Sequence, residues 1–346
     1  MSPVNTVHGT LASTILRDLG NACDLLRALL PESLAERVAW STLRLEASDY
    51  LRPAREAIRG DFLFRVETQG AKPVTLLVPL EHQSASHRWM PLRAGDYSFG
   101  AWWTAVREEP GPGDLPIVVP VVLHHGAGGW SAARTMHELV AASLEAHPEL
   151  APFVPNARFV LDDLATLSDE AIAARSKRPA LLVALWLLRD ARDAEKLHAS
   201  MPRWAPPLAE LLAEPTLSPS AEALVAYLFH HAEEPSRLAL ESFLDQTHQR
   251  AKGNLMTIEE MLIKRGEERG LALGEARGQA LGEARGQALG ALTTKRAAVL
   301  AVFEARALAL TPEQRARIEA STNTAELDGW HRAAITAPSA EAVFGS

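Results

Sequence analysis

The sequence predicts an α/β fold: a central mixed sheet flanked by helices, with a helical extension after it. Two β-rich runs, Asp61-Phe62-Leu63-Phe64-Arg65-Val66 and Val74-Thr75-Leu76-Leu77-Val78-Pro79-Leu80, flank the turn signal Gln69-Gly70-Ala71-Lys72-Pro73 and read as an antiparallel hairpin. Ile117 to Leu123 is a continuous apolar run, the mark of a buried strand. Elsewhere the apolar residues recur at helical spacing.

Taken in order, Leu11, Ile15, Leu19, Leu25, Leu26 and Leu29 place a helix over residues 10–30, stopping at Pro31. A short helix through Leu34 and Val38 follows, then a strand-like segment at Leu43-Arg44-Leu45, then the hairpin. A helix is expected from about Met90 to Val106, with Trp89, Trp102 and Trp103 at or near its ends. Glu108 to Pro116 is a Pro/Gly/acidic loop before the apolar strand. From about 130 to 250 strand signals are sparse and the chain reads as helices. The strongest is Pro179 to Ala199, with proline in its first turn. Pro202, Pro206 and Pro207 break the pattern, and Ala221–His231 and Pro235–Gln249 are further helices.

Gly-Glu-Ala-Arg-Gly-Gln-Ala-Leu then occurs twice in tandem, and glycine falls at every fourth position from Gly266 to Gly290. Each mid-helix glycine costs about 0.5–1 kcal/mol against alanine. Yet glycines stepped by four leave a groove where another backbone can approach. The tract reads as a self-association helix, making a homo-oligomer, or as a linker. The remainder forms a small helical module, with Leu292–Leu308 amphipathic and Thr311-Pro312-Glu313 a helix start. The expected organisation is an α/β core over 1–135, a helical part packed on it over 136–255, the glycine tract over 256–290, and the C-terminal module over 291–346.

The chain has 346 residues, 47% hydrophobic and 23% charged, as in ordinary globular proteins. Its formal net charge of −8 argues against a uniformly basic nucleic-acid binder, though not against a local basic groove. Arg44, Arg52, Arg55, Arg59, Arg65, Arg88 and Arg93 lie near the hairpin in sequence, most of them read as surface residues. The one cysteine, Cys23, leaves no intramolecular disulfide and no cysteine-rich zinc site. No signal-peptide pattern is evident, and the longest apolar run, Ala180 to Leu188, falls far short of the roughly 20 residues that span a bilayer. A cytoplasmic protein is expected.

The chemistry concentrates at Glu81-His82-Gln83, where the second hairpin strand ends. Side chains alternate along a strand, so Glu81 and Gln83 share one face and His82 takes the other. The hairpin brings Asp61 to the same end. Two carboxylates and an amide oxygen form a ligand set suited to a hard divalent cation such as Mg²⁺. His124 and His125 end the next strand. They read as a hydrogen-bonded turn before Gly126 rather than as part of a transition-metal site. No P-loop, dinucleotide fingerprint or nucleophile elbow is present.

Asp61 with Leu80-Glu81-His82-Gln83-Ser84 is similar to the core of the PD-(D/E)xK nuclease superfamily, glutamine replacing the lysine. Arg59-Gly60-Asp61-Phe62-Leu63-Phe64-Arg65-Val66, Met90-Pro91-Leu92-Arg93 and Pro120-Val121-Val122-Leu123-His124-His125-Gly126, followed by Trp130, narrow it. In that order they resemble the Rpn (YhgA-like) recombination-promoting nucleases, also called putative transposases. The resemblance implies a restriction-endonuclease-like core over 1–135 and DNA as the partner. It also implies Mg²⁺- or Mn²⁺-dependent phosphodiester hydrolysis, with Asp61 and Glu81 as metal ligands and Gln83 as the third catalytic residue. Four departures point to reduced activity, one being Ala94-Gly95-Asp96 where the family has an apolar stretch in the helix after the hairpin. His8-Gly9 stands where the family has His-Asp, Arg52 where it has an acid, and Pro79 lies in a central strand. The alternative is a catalytically weak, oligomeric DNA- or protein-binding relative.

Overall fold

The computed structural model describes residues 3–46, 61–108 and 113–344. The chain divides into two compact units, Met1–Leu262 and Ile263–Ser346. In the first, helices α1 (Pro3–Arg17), α2 (Leu19–Leu29) and α3 (Glu32–Ala35) precede strands β1 (Val38–Glu46), β2 (Phe62–Thr68) and β3 (Thr75–Gln83). Helix α4 (Met90–Glu108) leads to β4 (Ile117–Val118) and β5 (Val121–His124). Short helices α5 (Met136–Leu139) and α6 (Ala141–Ala146) lead to β6 (Val160–Asp163). The rest is helical: α7 (Asp169–Ala173), α8 (Pro179–Asp190), α9 (Ala194–Ala199), α10 (Met201–Ala213), α11 (Pro219–His231), α12 (Glu234–Thr247) and α13 (Gln249–Ala305). The unit boundary falls within α13.

The sheet is mixed, in the order β1-β2-β3-β5-β6, with β4 beside the first half of β3. β1, β2 and β3 run antiparallel, and β3, β5 and β6 run parallel. The expected hairpin is present, with Phe62 opposite Leu80 and Glu67 opposite Thr75. Gly70 turns it with φ +124°, which favours glycine. Period-2 alternation sorts the apolar residues onto two faces. Phe62, Phe64, Val66, Leu76, Val78, Leu80, Val121 and Leu123 pack against the helical layer of α1, α2, α8, α10 and α11. Leu63, Leu77 and Val122 pack against Met90, Ala94, Tyr97 and Ala101 of α4.

Several elements differ from expectation. Val38 opens β1 instead of continuing a helix, because α3 is a single turn after Pro31. The apolar run 117–123 is two strands broken at Val119-Pro120. Val119 N–H donates to Leu77 O at 2.8 Å, and a parallel ladder would return a bond from the amide of residue 79 to Val119 O. Pro79 lacks that donor, so the ladder to β3 is interrupted there, while Pro120 faces β6, where Val160 N donates to its carbonyl at 2.8 Å. Pro179–Ala199 divides at Asp193, whose side chain caps α9 by accepting from Glu195 N and Lys196 N. Helix α10 runs through Pro206 and Pro207 because Trp204, Ala205, Leu208, Ala209, Leu211 and Leu212 bury one face of it. The stretch read as helices, with sparse strand signals, contributes β6, a short run ending in Asp162-Asp163. The departure at Arg52 lies outside the described residues.

In the second unit, the C-terminal part of α13 packs with α14 (Pro312–Ala320), α15 (Thr324–Thr336) and α16 (Ala340–Phe344). Their core is Val299, Phe303, Ile318, Leu327, Trp330, Ala334, Ala340 and Val343. Thr311 and Gln314 form a reciprocal capping box at the start of α14. The glycine tract is helical, and every residue from Ile263 to Ala291 is exposed.

Candidate active site

The ends of β2 and β3 bring Asp61, Glu81 and Gln83 together. The His82 backbone N–H donates to Asp61 Oδ2 at 2.8 Å, and Gln83 Nε2 donates to Glu81 Oε2 at 3.1 Å. Glu81 is only 2% exposed. Its other partners come from α4. Arg93 Nη2 donates to Glu81 Oε2 at 2.8 Å and bonds the Tyr97 hydroxyl at 3.1 Å, while the Tyr97 hydroxyl donates to Glu81 Oε1. Arg93 and Tyr97 are four residues apart, so one helix face presents both.

Electrostatics at this carboxylate is a contest. Burial raises the Glu81 pKa to about 7, against the attraction of Arg93 and the bonds from Tyr97 and Gln83, with Asp61 adding to the rise. Asp61 keeps substantial solvent exposure. Even so, lost hydration pushes its carboxyl up, against the His82 amide and Arg93. Tyr97 is pushed far above its ordinary range, first by burial and then by Glu81. Two carboxylates thus share the field of one arginine, Glu81 buried and Asp61 at the edge of solvent.

A second polar pair lies further along the sheet. Gln83 is opposite His124 in the parallel ladder, and His124 is opposite Asp163. His124 Nδ1 bonds Asp163 Oδ1 at 2.9 Å, and Trp130 N donates to Asp163 Oδ2 at 2.6 Å. This pair was missed because Asp163 belongs to a strand the sequence pattern conceals. His124 turns to Asp163 rather than Glu81, but from strand β5, and neither nitrogen of His125 is paired, so the hydrogen-bonded turn expected of the two histidines is not what forms. A Cβ at Gly126 would meet His124 Nε2 at 2.6 Å and the Ser84 carbonyl oxygen at 2.9 Å, so glycine alone fits there.

His125 points away from this pair. It stacks on His82 with centroids 4.4 Å apart, on the face opposite Glu81. His8 of α1 joins them, 4.8 Å from His125. Of the arginines near the hairpin, Arg93 alone among those described bonds Glu81; Arg44 pairs with Glu46, and Arg88 lies over Trp89. Arg55 and Arg59 lie outside the described residues. Among the described residues no group of three or more His, Cys, Asp or Glu side chains is arranged to hold a metal ion. Asp61 and Glu81 are a pair of hard oxygen ligands, suited in donor chemistry to Mg²⁺ or Mn²⁺. No helix of the described residues is long and apolar enough to cross a membrane.

The family model described as "Putative transposase, YhgA-like" matches residues 6–214, which include every side chain of this site. No solved structure matches the chain.

Proposed function

Because the chain belongs to the YhgA-like putative transposase family, we propose that it is a metal-dependent DNA endonuclease hydrolysing phosphodiester bonds. The observation that carries this reading is the convergence of Asp61, Glu81 and Gln83 at one end of the hairpin, beside Arg93. Asp61 and Glu81 would hold Mg²⁺ or Mn²⁺. A bound cation supplies Lewis-acid polarisation of a phosphoryl oxygen. Gln83 can orient water or a phosphate oxygen through its amide but carries no charge. Arg93 supplies the positive charge that a lysine at position 83 would bring, and its side chain is 22% exposed, within reach of a bound backbone. Tyr97 holds Glu81 in place from behind.

The observations that favour a slow enzyme are the engagement of both Glu81 oxygens by protein donors and the absence of an acid at Gly9. Helix α13 supports self-association. Its glycines from Gly266 to Gly290 have nothing within 4 Å of where a Cβ would stand, and Leu273, Leu281 and Leu289 are more than half exposed. Plasmid nicking by purified protein, with and without Mg²⁺ or Mn²⁺, tests the enzyme. Cleavage that needs the metal and is lost in Asp61→Ala and Glu81→Gln supports it. Metal-independent cleavage, or none beside intact DNA binding, leaves the weak, oligomeric relative as the correct reading.

A further inference from the structure

Opposite Glu81, at the carboxyl ends of β3 and β5, lies a cluster of rings from four separate segments. His8 stands at its centre, 5.0 Å from His231 of α11, 4.8 Å from His125 and 5.3 Å from Tyr227 by ring centroids. His82 completes it. Buried side-chain nitrogens and oxygens rarely lack a partner in native proteins. Among the described residues seven such atoms do, and four belong here: His82 Nε2, both nitrogens of His125, and His231 Nε2. His125 is 1% exposed with neither nitrogen paired.

The hydrogen bonds that do exist fix the polarity of the cluster. Arg192 can only donate, so its contact with His8 Nε2 at 3.3 Å makes that nitrogen an acceptor. His8 Nδ1 then carries the proton and donates to the Tyr227 hydroxyl at 2.7 Å. The hydroxyl's own proton is left to be given elsewhere. Arg192 also donates to the Ser84 carbonyl at 3.1 Å. No carboxylate of the described residues bonds any of these six side chains. Burial, then the charge of Arg192 and the neighbouring imidazoles, holds His8 at about 3, and burial above all holds His231 at about 4; both rings are neutral, each keeping one N–H. Among the described residues the one charge at the cluster is that of Arg192, each neutral ring offers an N–H, and no carboxylate supplies a counter-charge. A cation does not fit: Arg192 opposes it, and these imidazoles are not arranged to hold a metal ion.

We propose that this cluster binds an oxyanion of the phosphate class, received by Arg192, the imidazole N–H groups of His82, His125 and His231, and the Tyr227 hydroxyl. Arg192 is exposed and His82 and His231 are half-buried, so the cluster is approached from their side. Ligands of open α/β sheets collect at the carboxyl ends of parallel strands, and this site lies there. The proposal does not depend on cleavage or on a divalent metal.

The test is calorimetric titration of the full chain in chelator, first with inorganic phosphate, then with a short DNA duplex. Arg192→Gln and His231→Phe change the half-open rim, and unchanged thermal midpoints confirm that both fold. Saturable phosphate binding weakened at least about tenfold, 1.4 kcal/mol, in both variants identifies the free anion as a ligand. A similar loss seen with the duplex alone identifies the DNA backbone as its source and equally supports the site. Two results overturn the proposal. One is unchanged affinity for both probes in both variants. The other is Zn²⁺ binding to the wild type that His231→Phe abolishes, which would make the cluster a cation site.

Discussion

Glu81→Gln gives a quantitative test of the balance at the carboxylate. Burial favours the neutral acid, while Arg93, Tyr97 and Gln83 favour the anion, and burial prevails. The folded protein therefore holds the Glu81 proton more tightly than the unfolded chain does. The stability this contributes is fully present below pH 4.5 and is lost as pH rises through about 7. A carboxyl moved from 4.5 to about 7 carries roughly 3 kcal/mol of differential stability. Glutamine cannot ionise, so the variant does not suffer this loss. The expected result is that wild-type stability relative to Glu81→Gln falls by about 3 kcal/mol between pH 4.5 and 8 and is level above that. Urea unfolding in chelator at several pH values, followed by tryptophan fluorescence, measures it. All eight tryptophans except Trp330 lie in the first unit, so the signal reports on the unit that contains the site. A difference that stays flat would refute the reasoning by showing that Arg93, Tyr97 and Gln83 offset burial, and one that rises with pH by showing that they outweigh it.

Asp61→Ala should abolish binding of a single Mn²⁺ in calorimetry, and equal binding by wild type and variant would remove Asp61 from the site. Arg93→Met should destabilise the first unit by about 1–3 kcal/mol at pH 8, by removing the cation beside a buried carboxylate, and by less at pH 5, where Glu81 is protonated. An equal cost at both pH values would reduce Arg93 to a packing role. Gly126→Ala should cost about 1–3 kcal/mol in the same assay through the contacts a Cβ makes with His124 and Ser84; a neutral change would mean the turn yields freely. In sedimentation the full chain should run as a dimer at micromolar concentration, and glutamate at Gly278 and Gly286 should make it a monomer. If both chains sediment alike, the tract does not mediate association.

The hairpin was legible because two signals agree on it: β-rich runs of matching length and a glycine turn between them. That agreement placed Asp61 near the end of the strand that carries Glu81 and Gln83; the register itself comes from the structure. The partners of Glu81 were half legible. Arg93 and Tyr97 are visibly four apart on one helix, but nothing local says which way that face turns. The break at Val119-Pro120 was not legible, since it needs Pro79 to be known as the cross-strand neighbour. Strand β6 was hidden because it is short and ends in two acids, which draw on tertiary partners that no local pattern announces: Arg175 on Asp162, His124 and Trp130 on Asp163. The histidine cluster is the extreme case, for His8, His82, His125 and His231 share no spacing. Their meeting is a product of the whole first unit.

The alternation at Glu81-His82-Gln83 has a consequence for how this chain can change. One tetrahedral reversal per residue sends neighbouring side chains into different chemical worlds, carboxylate to the α4 layer and imidazole to the histidine layer. A slip of one residue in the β2–β3 pairing would exchange them, delivering His82 to Arg93 and Glu81 into the imidazoles. The connection from Thr68 to Thr75 therefore acts as an address label for both faces. Its composition can drift, but a gain or loss of one residue there would misdeliver two sets of groups at once, while leaving every one of them present in the sequence.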